Sequence, residues 1–412
     1  MLRDAFAPLQ RKGAEHVRPV AIVGCGQSRF GDFPDLSIKE LFAQAFQEMA
    51  LSVDRGFDPT CVQAAFVGTL GVGGFQLGQP APLLTGYMGL TGIPSLRVEN
   101  ACASGGFALM AAVQAVASGA CEVALAAGVE KMRDLSGTQT RYWLGVSGDT
   151  EYERLAGLTF AGIYALMATR YMADYGMEHR HLSAVAVKNH RHGALNPKAH
   201  LRRTVTPEEA EAAPLVASPL RLFDCSPTSD GAACLLVVTG ERAAEFTSRP
   251  VWVAGYGAAS DHLAVHDRPS LTGLQASRRA ARQAYAMAGI SPVDVDVAEV
   301  HDCFTIAEIM AYEDLGWAET GQGFRLLEEG ITELGGRRPV NPSGGLKAKG
   351  HPLGATGIAQ VVEVFLQLRG QAGDRQVPGA RIGLTHNVGG SGGTAVVFVL
   401  TTDRPARAGG EQ

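Results

Sequence analysis

The residues with the most chemistry to offer begin at Cys102, inside VENACASGGFALMAAVQAVASG, residues 98–119. Val98 to Asn100 close an extended segment. From about Ser104 to Ser118 the residues are almost all small or apolar, without proline, and read as a helix stopped by Gly119. Phe107, Leu109, Met110, Val113 and Val116 point all round this helix, so it is expected to be buried on every side. Cys102 then stands at a strand-to-helix corner, on a helix N-terminus. Unpaired backbone N–H groups and the helix dipole favour an anion there. A thiol in that place is expected to lose its proton more readily, and the thiolate is the nucleophile. Ser104, Gly105 and Gly106 keep the corner thin enough for a substrate carbonyl to approach.

A free cysteine taken alone is most often a small buried hydrophobe. Three further segments change that balance. HDCF is a loop after a strand and presents His301, Asp302 and Cys303. GHPLGATG puts His351 just ahead of a second buried helix, Ala355 to Leu368. HNVGGSGG, from His386, is a glycine turn between two closing strands.

The elements that must position these groups come in two similar runs. Strands are expected at Pro19–Gly24, Val123–Ala127 and Ala233–Val238, and the second half opens with one at Val251–Ala254. LSIKELFAQAFQEMALSV is an amphipathic helix with Leu41, Phe42, Ala45, Phe46 and Met49 on one face. Each half places a polar residue before a buried helix, Cys102 in the first and His351 in the second, and a strand ending in glycines after it. Strands alternating with helices, two of them largely apolar, imply sheets on both sides of a central helical layer. The expected organisation is an N-terminal half over 1–245, with a mostly helical insertion at about 133–215, a C-terminal half over 246–403, and a disordered tail over 404–412.

Composition excludes several classes. The chain has 412 residues, 46% of them hydrophobic and 19% charged, as in an ordinary globular enzyme. A net charge of −5 argues against generic nucleic-acid binding. Seven scattered cysteines fit free thiols in a reducing compartment, so a cytoplasmic protein is expected. The N-terminus lacks the apolar core of a signal peptide, and no uncharged apolar run reaches membrane-spanning length. The GCG at residues 24–26 fails as a dinucleotide fingerprint, because no third glycine and no immediate helix follow. Five histidines lie between His179 and His200, with Arg180, Lys188, Arg191 and Lys198 among them. No carboxylate or cysteine at a suitable spacing completes a ligand set there, so no metal site is expected. That segment reads as a solvated basic face, or else as a cationic rim for a phosphorylated ligand.

Taken together and in this order, ACASGG, HDCF, GHPLGATG and HNVGGSGG make the chain resemble the thiolase superfamily from about Val20 to Asp403. The HDCF loop, with VAVKNH and DCSPTSDGAA, is similar to the sterol-carrier-protein-type and archaeal-type acetoacetyl-CoA branch. Better-known thiolases carry an Asn-Glu loop in place of HDCF, and a second cysteine in the last glycine motif. This chain has His386 at that point, and Cys303 is its second reactive cysteine. The resemblance implies a five-layered αβαβα sandwich with two buried central helices. It implies acyl transfer between coenzyme A thioesters, with no covalently bound cofactor and with CoA as substrate and product.

In that reading Cys102 is the acylated nucleophile and His351 its base. Cys303 removes the proton alpha to a second thioester, and His301 and His351 donate to the enolate oxygen. The backbone N–H groups of Cys102 and of the Val388–Gly389 turn are expected to form the oxyanion hole for the tetrahedral intermediate. The expected reaction is a reversible condensation to a short 3-ketoacyl-CoA such as acetoacetyl-CoA. A homodimer or homotetramer is implied, with a small OB-fold, zinc-ribbon partner as a further option. Three competing readings are a ketoacyl synthase of the same fold, a retro-aldolase and a non-catalytic acyl-CoA-binding subunit. Cys303 weighs against the first, since decarboxylation makes a carbanion without a base. The second would not need Cys102, and the third would not need Cys102, Cys303 and His351 together.

Overall fold

The computed structural model describes residues 18–405. Residues 1–17, where no signal peptide is expected, and 406–412, which hold most of the expected tail, lie outside the described residues. The chain runs β1 (Val20–Gln27), α1 (Ile38–Leu51), β2 (Ala64–Gly68), α2 (Pro80–Tyr87), β3 (Ser95–Val98), α3 (Ser104–Ala117) and β4 (Val123–Glu130). An excursion follows: α4 (Gly137–Gly145), α5 (Phe160–Tyr175), α6 (His179–Ala194), α7 (Pro207–Ala212) and a small hairpin, β5 (Leu215–Ala217) with β6 (Leu220–Arg221). β7 (Gly231–Thr239) and α8 (Ala243–Phe246) close the first half. The second half is β8 (Val251–Ser260), α9 (Gln275–Ala288), β9 (Val297–Glu299), α10 (Thr305–Asp314), α11 (Arg325–Glu328), α12 (Gly345–Lys349), α13 (Leu353–Leu368), β10 (Ile382–Gly389) and β11 (Thr394–Thr401).

The strands fall in the order β3-β2-β4-β7-β1-β8-β11-β10-β9. Only Ala21 and Ile22, facing Trp252 and Val251, join β1 to β8. On either side of that seam the order repeats. β1 and β8 each pair antiparallel with the last strand of their half, β7 and β11. The next strands, β4 and β10, are also antiparallel to those neighbours, and β2 and β9 follow in parallel.

Side chains alternate across these strands, as the two-residue period of a strand requires. Ala21, Val23, Leu236 and Val238 face one way, onto Leu41, Phe42, Ala45, Phe46 and Met49 of α1. Val20, Ile22, Leu235 and Val237 face the other way, onto α3 and α13. Beyond those helices lie Val396, Phe398 and Leu400 of β11. The outward residues Ala395, Val397 and Val399 of that strand meet α9. The result is five layers: α1, a half-sheet, the α3–α13 pair, a half-sheet and α9. Strands buried on both faces need continuous apolar runs, which is why VALAAGVE and GAACLLVVT show no polar alternation.

α1 is fixed at its start by a capping box between Ser37 and Glu40, a device that contributes about 1 kcal/mol. The helical excursion spans the whole interval from Lys131 to Asp230, longer at both ends than the expected 133–215. Its last part carries Ser226, Pro227 and Thr228 back to the site. Among the described residues no helix is long and apolar enough to cross a membrane.

Candidate active site

Two buried helices cross where neither has a side chain. A Cβ on Gly105 of α3 would lie 2.5 Å from the carbonyl oxygen of Gly354, and one on Gly357 of α13 would lie 2.2 Å from the backbone nitrogen of Gly106. The helices therefore touch backbone to backbone at their N-terminal ends. The residues just ahead of those ends, Cys102 and His351, are brought together by that contact.

The corner that carries Cys102 is strained. Ala101 has φ 51°, a left-handed conformation that costs an L-residue on the order of 1–2 kcal/mol. Neighbours hold it in place. The Glu99 carboxylate accepts the Ala101 N–H at 2.6 Å. Ser104 Oγ accepts the Asn100 N–H at 3.0 Å and donates to the Ala101 carbonyl at 2.6 Å.

Cys102, Cys303 and His351 line one cavity of about 90 Å³, whose other walls include Leu144, Phe160, Tyr164, Phe304, Leu353 and Gly390. His301 lies behind that wall and is 1% exposed. Its ring centroid is 5.2 Å from that of His351, at 82°. The Cys102 sulfur and one ring nitrogen from each histidine all lie within 4.8 Å of one another. The four residues expected to act together are thus in one place. A larger cleft of about 390 Å³, bordered by Ser37, Glu40, Lys131 and Asp134, has no cysteine or histidine on its walls.

Burial dominates the electrostatics. It pushes the Cys102 thiol up to about 12, opposed by the N–H of Gly390. The expected readily ionised thiol is therefore corrected. Loss of hydration outweighs what the corner offers, and the resting group is a thiol. Burial also raises Cys303, with Cys102 adding to the effect and the Tyr164 hydroxyl opposing it. It lowers His351 to about 3 and holds His301 well below the usual histidine range. Two thiols and two neutral imidazoles make an uncharged site.

The glycine turn is displaced by one residue from the expected place. Val388 and Gly389 are the last residues of β10, in register with Ala395 and Thr394. It is Gly390, at φ 59°, whose N–H opposes the rise of the Cys102 thiol. The same strand corrects the place given to His386. Its Nε2 bonds Ser277 Oγ at 2.8 Å, on the α9 side of the sheet. Strand alternation turns the next residue, Asn387, to the site. Its Nδ2 reaches the Cys102 carbonyl at 3.0 Å and His301 Nδ1 at 3.2 Å.

The HDCF loop is mounted on a buried polar cluster. Asp302 accepts the N–H groups of Leu346 and Lys347 at 2.6 and 3.1 Å, and an amide N–H of Asn189 at 2.7 Å. Asn189 also donates to Glu308, which takes Lys188 Nζ at 2.5 Å and Asn341 Nδ2 at 2.8 Å. Burial and the Glu308 charge raise Asp302 to about 7. This cluster corrects the reading of the histidine-rich segment as a solvated face, for its histidines and Lys188. In α6, His181, Lys188, Asn189, His190 and His192 are buried. His179 and His181 meet Asp224 and Glu328. These buried groups tie α6 to its surroundings, while Arg180 and Arg191 stay exposed and pair with Glu178 and Glu333.

Three site residues escape a reading of the sequence alone. Tyr164 donates to the Gly390 carbonyl at 3.2 Å, stacks on Phe304 at 4.7 Å, and sets its hydroxyl against the Cys303 thiol. Thr356 Oγ1 is 2.7 Å from His351 Nδ1. Asn387 is the third. Thr356 and Asn387 stand inside the GHPLGATG and HNVGGSGG motifs, which is the signal that could have found them. Tyr164 sits in a helix with no motif. By residue type, Cys102, His301 and His351 would suit a soft metal ion. The surroundings suit it poorly. A metal-bound histidine donates its other N–H outward, whereas His301 Nδ1 faces an amide N–H of Asn387.

Two family models match the chain: "Thiolase, N-terminal domain" over residues 20–241 and "Thiolase C-terminal domain-like" over residues 257–402. An acetyl-CoA acetyltransferase of Methanothermobacter thermautotrophicus is 46% identical over 386 residues, covering 93% of this chain and 100% of that protein. Sterol carrier protein 2 of Rattus norvegicus is 36% identical, covering 94% of this chain and 73% of that protein. Among solved structures, the Ltp2-ChsH2(DUF35) aldolase superposes with a TM-score of 0.80 at 25% identity, covering 94% of this chain and 98% of that one.

Proposed function

The chain belongs to the thiolase family, and from that premise we propose that it condenses two acetyl-CoA molecules, reversibly, through a Cys102 acyl-enzyme. The single observation that carries this reading is the convergence of Cys102, Cys303 and His351 on one cavity of about 90 Å³. An acetyl or acetoacetyl group suits that volume.

In the first half-reaction the Cys102 thiol gives its proton to His351 as its sulfur attacks the thioester carbon. The carbon–sulfur bond to CoA breaks, and His351 returns the proton to the leaving CoA thiolate. The N–H of Gly390, which favours charge on the Cys102 sulfur, serves in this reading as a backbone donor to the oxyanion. In the second half-reaction Cys303 first gives its thiol proton to His351, which lines the same cavity, and the thiolate so formed takes a proton from the methyl carbon of another acetyl-CoA. The enolate carbon attacks the acyl carbon, the bond to Cys102 breaks, His351 returns its proton to the Cys102 thiolate, and acetoacetyl-CoA leaves. In thiolysis the Cys303 thiol protonates the departing enolate, a role that fits a group held protonated at rest.

Two assembly features go with this reading. β3 is an edge strand, and Phe75, Leu77, Tyr87 and Leu96 are exposed around it. An unpaired edge with an apolar border supports a homodimer through that face. The Ltp2-ChsH2(DUF35) aldolase is named for two components, which supports a second subunit for this chain, such as the small OB-fold, zinc-ribbon partner that the resemblance implies. All seven cysteines are free, which supports a reducing, cytoplasmic setting.

Intact-mass measurement after mixing with acetyl-CoA tests the reaction. An acetyl adduct on the native protein and none on Cys102→Ser is the expected pair of results. No adduct on either protein, together with an active Cys102→Ala variant, would replace acyl transfer by retro-aldol cleavage.

A further inference from the structure

We propose that Asn387 and Thr356 lock His301 and His351 in opposite neutral tautomers, so that one Nε2 carries a proton and the other a bare lone pair. The roles of these two nitrogens rest on the acyl-transfer reading above; the tautomers themselves do not.

For His301 the hydrogens can be counted. Asn387 Oδ1 accepts the Gly106 N–H at 3.2 Å, and Nδ2 donates to the Cys102 carbonyl at 3.0 Å. A backbone N–H only donates and a carbonyl only accepts, so the amide cannot be flipped. One N–H of Nδ2 remains, and it faces His301 Nδ1 at 3.2 Å. Nδ1 must therefore accept. A neutral ring that accepts at Nδ1 holds its proton on Nε2.

His351 has the opposite partner. The Thr356 hydroxyl is 2.9 Å from the Pro352 carbonyl, four residues back along α13, as well as 2.7 Å from His351 Nδ1. With the hydroxyl proton on the carbonyl, Thr356 Oγ1 accepts from His351 Nδ1–H. That leaves Nε2 with a lone pair aimed at the cavity. Neither Nε2 has a hydrogen-bond partner among the described residues. One is a ready donor for an enolate oxygen, the other a ready acceptor for the Cys102 proton. Gly357 leaves the space that Asn387 needs, since a Cβ there would lie 2.3 Å from Asn387 Oδ1.

The same device keeps a soft metal out. Zinc bound by Cys102, His301 and His351 would need both Nε2 lone pairs. His301 would then carry its proton on Nδ1, against the Asn387 N–H. Asn387→Asp replaces that N–H by an acceptor, so it is expected to move the His301 proton to Nδ1 and to create a metal site.

The test reads the rings directly. In native protein labelled with 15N in histidine, two-bond correlations are expected to place one site ring in each tautomer; the same tautomer on both overturns the proposal. Asn387→Asp is expected to invert the His301 pattern and to bind Co²⁺ with a thiolate-to-metal absorption band that the native enzyme lacks. Cobalt binding equally strong in both proteins overturns it. Should that variant not fold, Thr356→Val is expected to slow acetylation of Cys102 at least tenfold, with Thr356→Ser restoring it. Equal rates in all three overturn the assignment for His351. Tautomers as stated with no acetylation of native Cys102 would uphold the proposal and sink the acyl-transfer reading.

Discussion

The loops after β2 and after β9 occupy matching places in the two halves, each following a strand parallel to its neighbour, β4 or β10, yet only the second brings histidine and cysteine to the site. After β2, Leu70, Gly71 and Val72 turn their N–H groups onto the Glu130 carboxylate at 2.8–3.0 Å, and Glu130 also takes the Gly354 N–H that opens α13. After β9 the carboxylate lies in the loop itself, as Asp302, and the residues beside it are His301 and Cys303. In the first half a carboxylate on a neighbouring strand grips an inert loop. In the second, a loop carries its own carboxylate inward and presents reactive groups on either side of it. The duplicated scaffold decides where groups meet, and the direction in which one buried charge faces decides which loop can react.

The largest expected effect comes from removing the group that the first half supplies. Cys102→Ser should lower condensation and thiolysis by roughly a thousandfold or more, the scale seen when a covalent nucleophile is lost. Steady-state assay with acetoacetyl-CoA and CoA reads it. Cys303→Ala should separate the halves further. Acetylation of Cys102 should persist while the full reaction falls by about 10²–10⁴, the range for a lost general acid or base. A variant that loses both together would show that the two cysteines do not divide the work.

Alkylation of Cys102 in the free enzyme tests the uncharged resting site. Its thiol is held near 12, so the thiolate fraction, and the rate, should rise about tenfold per pH unit from pH 6 to pH 9 without a plateau. A plateau beginning near pH 6 would reveal a thiolate–imidazolium pair instead. The smallest effect belongs to the inert loop. Glu130→Gln sets an amide N–H against backbone N–H groups and should cost about 1–3 kcal/mol of stability, read by denaturant unfolding. Turnover should stay within about threefold; a larger loss would mean that this loop, too, shapes the site.

Much of the architecture is legible in the chain itself. The apolar runs of β4 and β7, the stripe on α1 and the featureless apolar helices α3 and α13 each declare their burial by periodicity alone. Cys102, Cys303 and His351 declare themselves by standing at the ends of such elements. What stays hidden depends on facing. His386 and Asn387 are neighbours in one motif, and only the phase of β10 tells which of them meets Cys102. The buried face of α6 looks solvated in sequence because its partners, Asp224, Glu308 and Glu328, lie up to 147 residues away. The thiol's resting state is misjudged from sequence because a helix N-terminus is visible there and the loss of water around a side chain is not.

The crossing of α3 and α13 has a consequence for what selection can vary. Peptide groups in contact have nothing smaller to become, and any added carbon drives the axes apart. The span from the Cys102 sulfur to the His351 ring is thereby anchored to the thickness of the main chain. Diversity in acyl substrate must enter through the other walls, Leu144, Phe160 and Phe304 among them, which can be exchanged without moving the reacting atoms.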